Sequence, residues 1–153
     1  MGWDTLRMRM DDLEPDKTLL DLQHAAYAVE AALIRDDRIP PLHESLDELL
    51  AAPLAWRGAF DDDGTLVGAV AWTETEDLVD IDRLVVDPRA HRRGIGRTLV
   101  GELLGRAGER TTVVSTGRDN VPARTLYERF GFTRIEDVEV IAGLWITRYE
   151  RHG

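Results

Sequence analysis

The sequence predicts an α+β fold, a mixed and mostly antiparallel sheet flanked by helices in the order β-α-α-β-β-β-α-β-α-β-β. Three observations carry that expectation. Short runs alternate apolar and polar residues with period two and are separated by turn residues. Stretches 18–35 and 95–107 repeat apolar residues at helical spacing. Residues 78–86 form a β-branched run that ends at Asp87-Pro88 and leads through a basic Gly turn into a helix.

The elements follow in order. Residues 6–10, Leu6-Arg7-Met8-Arg9-Met10, alternate and are expected as the first strand. The first helix, 18–35, gathers Leu19, Leu22, Ala26, Val29 and Leu33 on one face. Ile39-Pro40-Pro41 breaks it. A second helix, 44–51, has Ser45 as a candidate cap and stops before Pro53. Strands 54–60 and 65–74 pair through the hairpin turn Asp61-Asp62-Asp63-Gly64. Strand 78–86 comes next. Helix 95–107 carries Ile95, Leu99, Leu103 and Ala107 on one face, and strand 111–116 has the look of a buried strand. Helix 122–130 starts with Pro122 and stops at Gly131. Strands 132–138 and 140–149 finish the chain.

A length of 153 residues fits a single domain over 1–153. No apolar run approaches the roughly 20 residues of a membrane span. The start, Met1-Gly2-Trp3-Asp4, lacks a signal peptide's basic and apolar segments, and Leu6 breaks the myristoylation pattern, so the cytoplasm is the expected compartment. The absence of cysteine excludes disulfides, thiolate metal sites and a cysteinyl acyl-enzyme. Neither Ser45 nor Ser115 lies in G-x-S-x-G. His24, His43, His91 and His152 lack metal-ligand spacing, so no metal is expected. A net charge of −10 argues against a nucleic-acid partner.

Against that acidity, residues 85–98 stand out. They read V-V-D-P-R-A-H-R-R-G-I-G-R-T, with Arg89, His91, Arg92, Arg93 and Arg97 and no acid after Pro88. A strand, a basic Gly turn and a helix start make an anion cradle. Amides at a helix N-terminus point outward unpaired, and the helix dipole favours negative charge there. Gly94 and Gly96 let the backbone approach a phosphate closely. A pyrophosphate or phosphorylated cofactor is the expected ligand.

Two motifs then coincide. One is V-x-P-x-x-H-x-x-G-x-G, from Val86 to Gly96. The other is Asn120-Val121-Pro122-Ala123-Arg124-Thr125-Leu126-Tyr127-Glu128-Arg129-Phe130-Gly131-Phe132. Together they resemble the cofactor half of the GNAT superfamily of N-acetyltransferases, and the element order resembles that fold. The family's Arg or Gln falls here at His91, beside Arg92 and Arg93.

The resemblance implies acetyl-CoA as co-substrate, a primary amine as acceptor, and direct attack within a ternary complex. It implies a cofactor site at Leu84, Val85, Val86, His91, Arg92, Arg93, Gly94, Ile95, Gly96, Arg97, Thr98, Asn120, Ala123 and Tyr127, and the possibility of a homodimer. The N–H of Val85 or Val86 would polarise the thioester carbonyl. Asn120 either caps a helix or contacts the cofactor arm. Tyr127 lies on an apolar helix face and, by resemblance, protonates the departing thiolate. A carboxylate on strand 78–86 would serve as base, Asp80 first and Asp82 second. Alternation would put both on one face with Leu84 and Val86. Tyr27, Glu30, Arg35, His43, Glu44, Trp72 and Glu74 are candidates for the acceptor pocket. The alternative reading is a catalytically weak acyl-CoA-binding regulatory or interaction protein.

Overall fold

The computed structural model describes residues 8–90 and 94–153. Their elements are β1 (Arg9–Asp12), α1 (Lys17–Ile34), α2 (Leu46–Ala51), β2 (Ala55–Phe60), β3 (Leu66–Glu74), β4 (Leu78–Val86), α3 (Ile95–Ala107), β5 (Thr111–Gly117), α4 (Val121–Arg129), β6 (Thr133–Ile141) and β7 (Leu144–Arg151). The strands form one sheet in the order β1-β2-β3-β4-β5-β7-β6. β4 and β5 are its parallel pair, and the other pairings are antiparallel. The α+β architecture is the one the periodicities predict.

Local chemistry sets most boundaries. Asp16 caps α1, its Oδ1 accepting from the Leu19 N–H at 2.9 Å. Ser45 and Glu48 form a reciprocal capping box, so α2 begins at Leu46 rather than at residue 44. Pro40 and Pro41 open a short 3₁₀ turn, Pro40–His43, where only a break was expected. The first strand lies later than expected. It starts at Arg9, while Leu6 and Arg7 are outside the described residues. The last hairpin also shifts. Gly143 takes the turn at φ +82, so Val140 belongs to β6 and not to the start of β7.

Helices cover both faces of the sheet. α3 buries Ile95, Leu99, Val100, Leu103, Leu104 and Ala107 against one face, where Val70, Trp72, Val79 and Ile81 meet them. Each buried Ile, Leu or Val side chain here contributes roughly 1.5–3 kcal/mol. The approach is close. A Cβ on Gly68 of β3 would lie 2.5 Å from Ile95 Cγ2, so glycine there lets the start of α3 settle on the sheet. On the other face, Leu19, Leu20 and Leu22 of α1 and Leu49 of α2 pack on Trp56, Ala69, Ala71 and Val85.

β4 changes face along its length. Its register with β3 jumps from Ala71↔Arg83 to Trp72↔Ile81, which leaves Asp82 as an extra, bulged residue. Val79 and Ile81 face α3, whereas Val85 is buried on the α1 side. Leu84 and Val86 therefore pack on the α3 side. This corrects the simple alternation, which placed Asp80, Asp82, Leu84 and Val86 together. The bulge inserts one residue and inverts the pattern beyond it.

Candidate active site

β4 and β5 pair only from Leu78↔Thr111 to Ile81↔Val114. Beyond Ile81 the strands part, while β5 stays paired with β7 as far as Gly117. The gap is a groove of about 460 Å³. It is lined by Asp82, Arg83, Leu84 and Val86 of β4, Gly96 of α3, residues 114–117 of β5, and Ala123, Leu126 and Tyr127 of α4. Tyr27 and Glu30 of α1 and Val140, Leu144 and Ile146 of the last hairpin line it as well.

The free edge of β4 is chemically open. Asp87 N–H donates to Val67 O at 2.9 Å, which marks a hydrogen-bonded pair. Alternation then turns the main chains of Val85 and Arg83 toward β3 and those of Leu84 and Val86 into the groove. Val85 is thereby corrected as a source of the polarising amide. Its N–H faces β3 and its side chain is fully buried against α1.

At the groove's end, α3 begins with Gly94 at φ +74, with no side chain capping it and no acid in the first turn. The N–H groups of Ile95, Gly96 and Arg97 have no intrahelical acceptor. Thr98 is different, because its N–H and hydroxyl both go to Gly94 O, the hydroxyl at 2.8 Å. Arg97 is exposed, and the Ile95 side chain is in the core. A Cβ on Gly96 would enter the groove 3.6 Å from Leu126 and Val86, in ordinary contact. The protein's own packing therefore does not demand glycine there. Arg89 pairs with Asp87 at 2.9 Å. His91, Arg92 and Arg93 lie outside the described residues.

α4 supplies the opposite wall. Asn120 does cap it, its side-chain oxygen accepting from Ala123 N–H at 3.2 Å. Its Nδ2 donates to Glu30 Oε1 at 2.7 Å. Tyr127 is buried, edge-on to Phe132 at a 5.5 Å centroid distance, with its ring lining the groove. Burial, and then the charge of Glu30, hold its hydroxyl well above the usual tyrosine pKa, so it keeps its proton. Tyr27 is pushed the same way by burial first and Glu30 second.

The carboxylates of β4 differ in placement. Asp82 lines the groove, with its Oδ2 accepting from Arg83 Nε at 2.9 Å. Asp80 sits opposite Thr73 and Val113, where β4 is still held by both neighbours and has not reached the opening. Burial, then the charge of Asp82, push its carboxyl above the usual range.

Arg83 ties this wall to the other face. Its guanidinium grips Glu44 at 2.5 and 3.1 Å and Gln23 Oε1 at 3.0 Å. Gln23 Nε2 in turn donates to Glu44 and to Pro41 O. Burial opposes the charge on Glu44, yet bonds from Arg83 and Gln23 win and hold its carboxyl below the usual range. The remaining pocket candidates lie elsewhere. Trp72 Nε1 donates to Glu74, which Arg106 and Arg110 also bind, and these hold Glu74 down at about 2. His43 bonds Asp37 O, and Arg35 ends α1 in the left-handed region. A separate cavity of about 210 Å³ between α3 and β1–β3 is lined by charges that pair with one another, Arg57 with Asp12 and Glu102.

The acetyltransferase (GNAT) family pattern matches residues 17–132. The chain belongs to the GNAT family. That span takes in the groove from α1 to the end of α4. The N-alpha-acetyltransferase RimI of Mycobacterium tuberculosis is 30% identical over 122 residues, 77% of this chain and 76% of that protein. The UPF0157 protein YqkA of Bacillus subtilis is 31% identical over 132 residues, 86% of this chain, which spans only 38% of its length. Among solved structures, the ribosomal-protein-S18-alanine N-acetyltransferase of Escherichia coli shares the GNAT fold at TM-score 0.75 and 16% identity, over 95% of this chain and 93% of that one. The paia N-acetyltransferase of Thermoplasma acidophilum, solved with coenzyme A, aligns at TM-score 0.72 and 20% identity, over 94% and 99%. At such identities the likeness speaks for the fold. Among the described residues of this GNAT chain, no helix is long and apolar enough to cross a membrane.

Proposed function

We propose that residues 1–153 act as one acetyltransferase domain that transfers acetyl from acetyl-CoA to a primary amine, by direct attack in a ternary complex. The observation that carries this reading is the groove at the β4–β5 parting. It runs from the open helix start at Gly94, along the free amides of Leu84 and Val86, to Tyr127. Bound there, acetyl-CoA supplies an acetyl group activated as a thioester.

The chain's own residues have distinct tasks. The N–H groups of Ile95, Gly96 and Arg97, with the Arg97 guanidinium, receive a diphosphate. Leu84 and Val86 offer main-chain groups to the amides of the pantetheine arm, as a sheet edge receives an added strand. One of these amides faces the carbonyl oxygen and stabilises the charge that develops on it. Tyr127 donates a hydrogen bond to the departing sulfur. A free thiol has a pKa near ~8.5, well below that of a buried tyrosine. Tyr127 therefore gives up its proton only as it receives another from the attacking nitrogen. Asp82, inside the groove, is the nearer acceptor for the proton an alkylammonium of pKa near ~10.4 must lose, and Asp80 stands behind it.

The test is an assay of free thiol release from acetyl-CoA across a panel of primary amines, with the product identified by mass. Release that depends on the amine and yields an acetylated product is expected. Tight acetyl-CoA binding with no release across the panel would instead favour a regulatory acyl-CoA-binding protein.

A further inference from the structure

Glu30 is placed unlike the other groove acid. It projects from α1, half-buried, into the groove, one helical turn from Tyr27. Its partners among the described residues are neutral: Asn120 Nδ2 at 2.7 Å and Thr116 Oγ1 at 3.4 Å. The neighbouring carboxylates either have a cation or lie outside the groove, as Asp80 does. Asp82 and Glu44 share Arg83, and Glu74 has Arg106 and Arg110. A half-buried carboxylate held by neutral donors, with no counter-ion among the described residues, is a favourable seat for an incoming cation. Glu30 lies on α1 and its carboxylate is bonded to the residue that caps α4, so it stands between the α1 wall and the α4 wall.

The surroundings narrow the cation's chemistry. Leu33, Ile34, Ile39, Val140, Leu144 and Ile146 give the α1 and hairpin side of the groove an apolar lining. Arg83 is the one cationic side chain among the described lining residues, and Glu44, Gln23 and Asp82 already occupy it. A carboxylate next to the acceptor's nitrogen would meet Glu30 and Asp82 with no free described cation to receive it.

From this geometry we infer that Glu30 is the residue that grips the acceptor's ammonium, and that the acceptor is a primary amine on an uncharged apolar arm rather than a free amino acid. The inference rests on the acetyltransferase reading for the word acceptor, but the binding site itself does not need turnover. Asn120 serves it as a positioning residue. Its oxygen caps α4 while its amide holds Glu30 Oε1, which fixes the carboxylate relative to the helix that carries Tyr127.

The experiment is calorimetry on the full chain saturated with free coenzyme A, which has no acetyl group to transfer. Hexylamine, 1-hexanol and norleucine are titrated into the wild-type protein and into Glu30→Gln, which keeps an oxygen for Asn120. Hexylamine should bind wild type at least about thirtyfold more tightly than either of the others. Glu30→Gln should lose at least about thirtyfold for hexylamine while 1-hexanol and coenzyme A stay within about twofold. Equal hexylamine affinity in wild type and Glu30→Gln would overturn the inference. So would norleucine binding as tightly as hexylamine, or loss of coenzyme A binding in the variant, which would make Glu30 a scaffold for the cofactor wall. If coenzyme A gave no binding even to wild type, the acetyltransferase reading would fall. The hexylamine comparison on the free protein would still decide the role of Glu30.

Discussion

Replacing Arg83 by Met tests how β4 is held to α1 and to the segment before α2. The side chains of Arg83 and Glu44 are only 10% and 13% exposed, and the pair is bidentate at 2.5 and 3.1 Å. Removing one member of such a pair strands the other, at a cost of about 3–5 kcal/mol. Both side chains keep some exposure, so the lower end applies: about 3 kcal/mol, or a fall in Tm of about 6–12 °C for a chain of this size. The pH dependence has a definite sign. In the wild type the folded pKa of Glu44 lies below its ordinary 4.5. Its contribution is therefore present above about pH 4.5 and is lost as pH falls through the folded value. In Arg83→Met burial acts with less opposition and raises that pKa, so the penalty is full at neutral pH and is relieved by acid. Urea unfolding at pH 7 and pH 4 measures both. The gap between wild type and variant should shrink at pH 4. Adding Glu44→Leu should recover at least half of the loss, because an apolar replacement removes the stranded charge. A neutral-pH loss under about 1 kcal/mol, or a gap that widens in acid, would refute the reasoning.

Three further outcomes are expected. Gly96→Val should weaken coenzyme A binding at least about tenfold, with Tm changed by only a few degrees, because the new Cβ makes ordinary contacts and φ is not left-handed; calorimetry beside thermal unfolding checks both. Tyr127→Phe should lower kcat by about 10²-fold or more and leave coenzyme A affinity within about twofold; steady-state rates set against binding would expose an unchanged kcat. Asn120→Ala should cost about 1 kcal/mol through the lost cap, seen in denaturant unfolding, and should also weaken hexylamine binding because Glu30 loses its partner at 2.7 Å.

The parts of the fold written in local chemistry were legible. The limits of β4 and α3 match the expected 78–86 and 95–107, because Pro88 cannot continue a ladder and Gly94 and Gly108 both take positive φ at the helix ends. Part of the groove was legible for the same reason, since Gly96 and Asn120 sit at strand–helix junctions with distinctive turn residues, whereas Tyr127 lies near the end of α4. What depends on pairing was not. The bulge at Asp82 exists only in the register between β3 and β4, and it reassigned the faces of Asp80, Leu84 and Val86 and the direction of the Val85 amide. Glu30 was one of seven acceptor-pocket candidates, named by resemblance, and nothing in the sequence set it apart from the other six. Its partner Asn120 is 90 residues away, and no spacing rule links them. The hairpin wall at Val140 was blurred because apolar alternation runs on past residue 138, and only the Gly143 turn divides it.

Titration of coenzyme A into the full chain, followed by calorimetry, addresses the central claim most directly. A saturable one-to-one isotherm is expected, weakened by Gly96→Val and by added pyrophosphate, which competes for the amides at the start of α3. No heat and no shift in Tm at saturating coenzyme A would contradict the account. Binding indifferent to both the substitution and the competitor would do so as well.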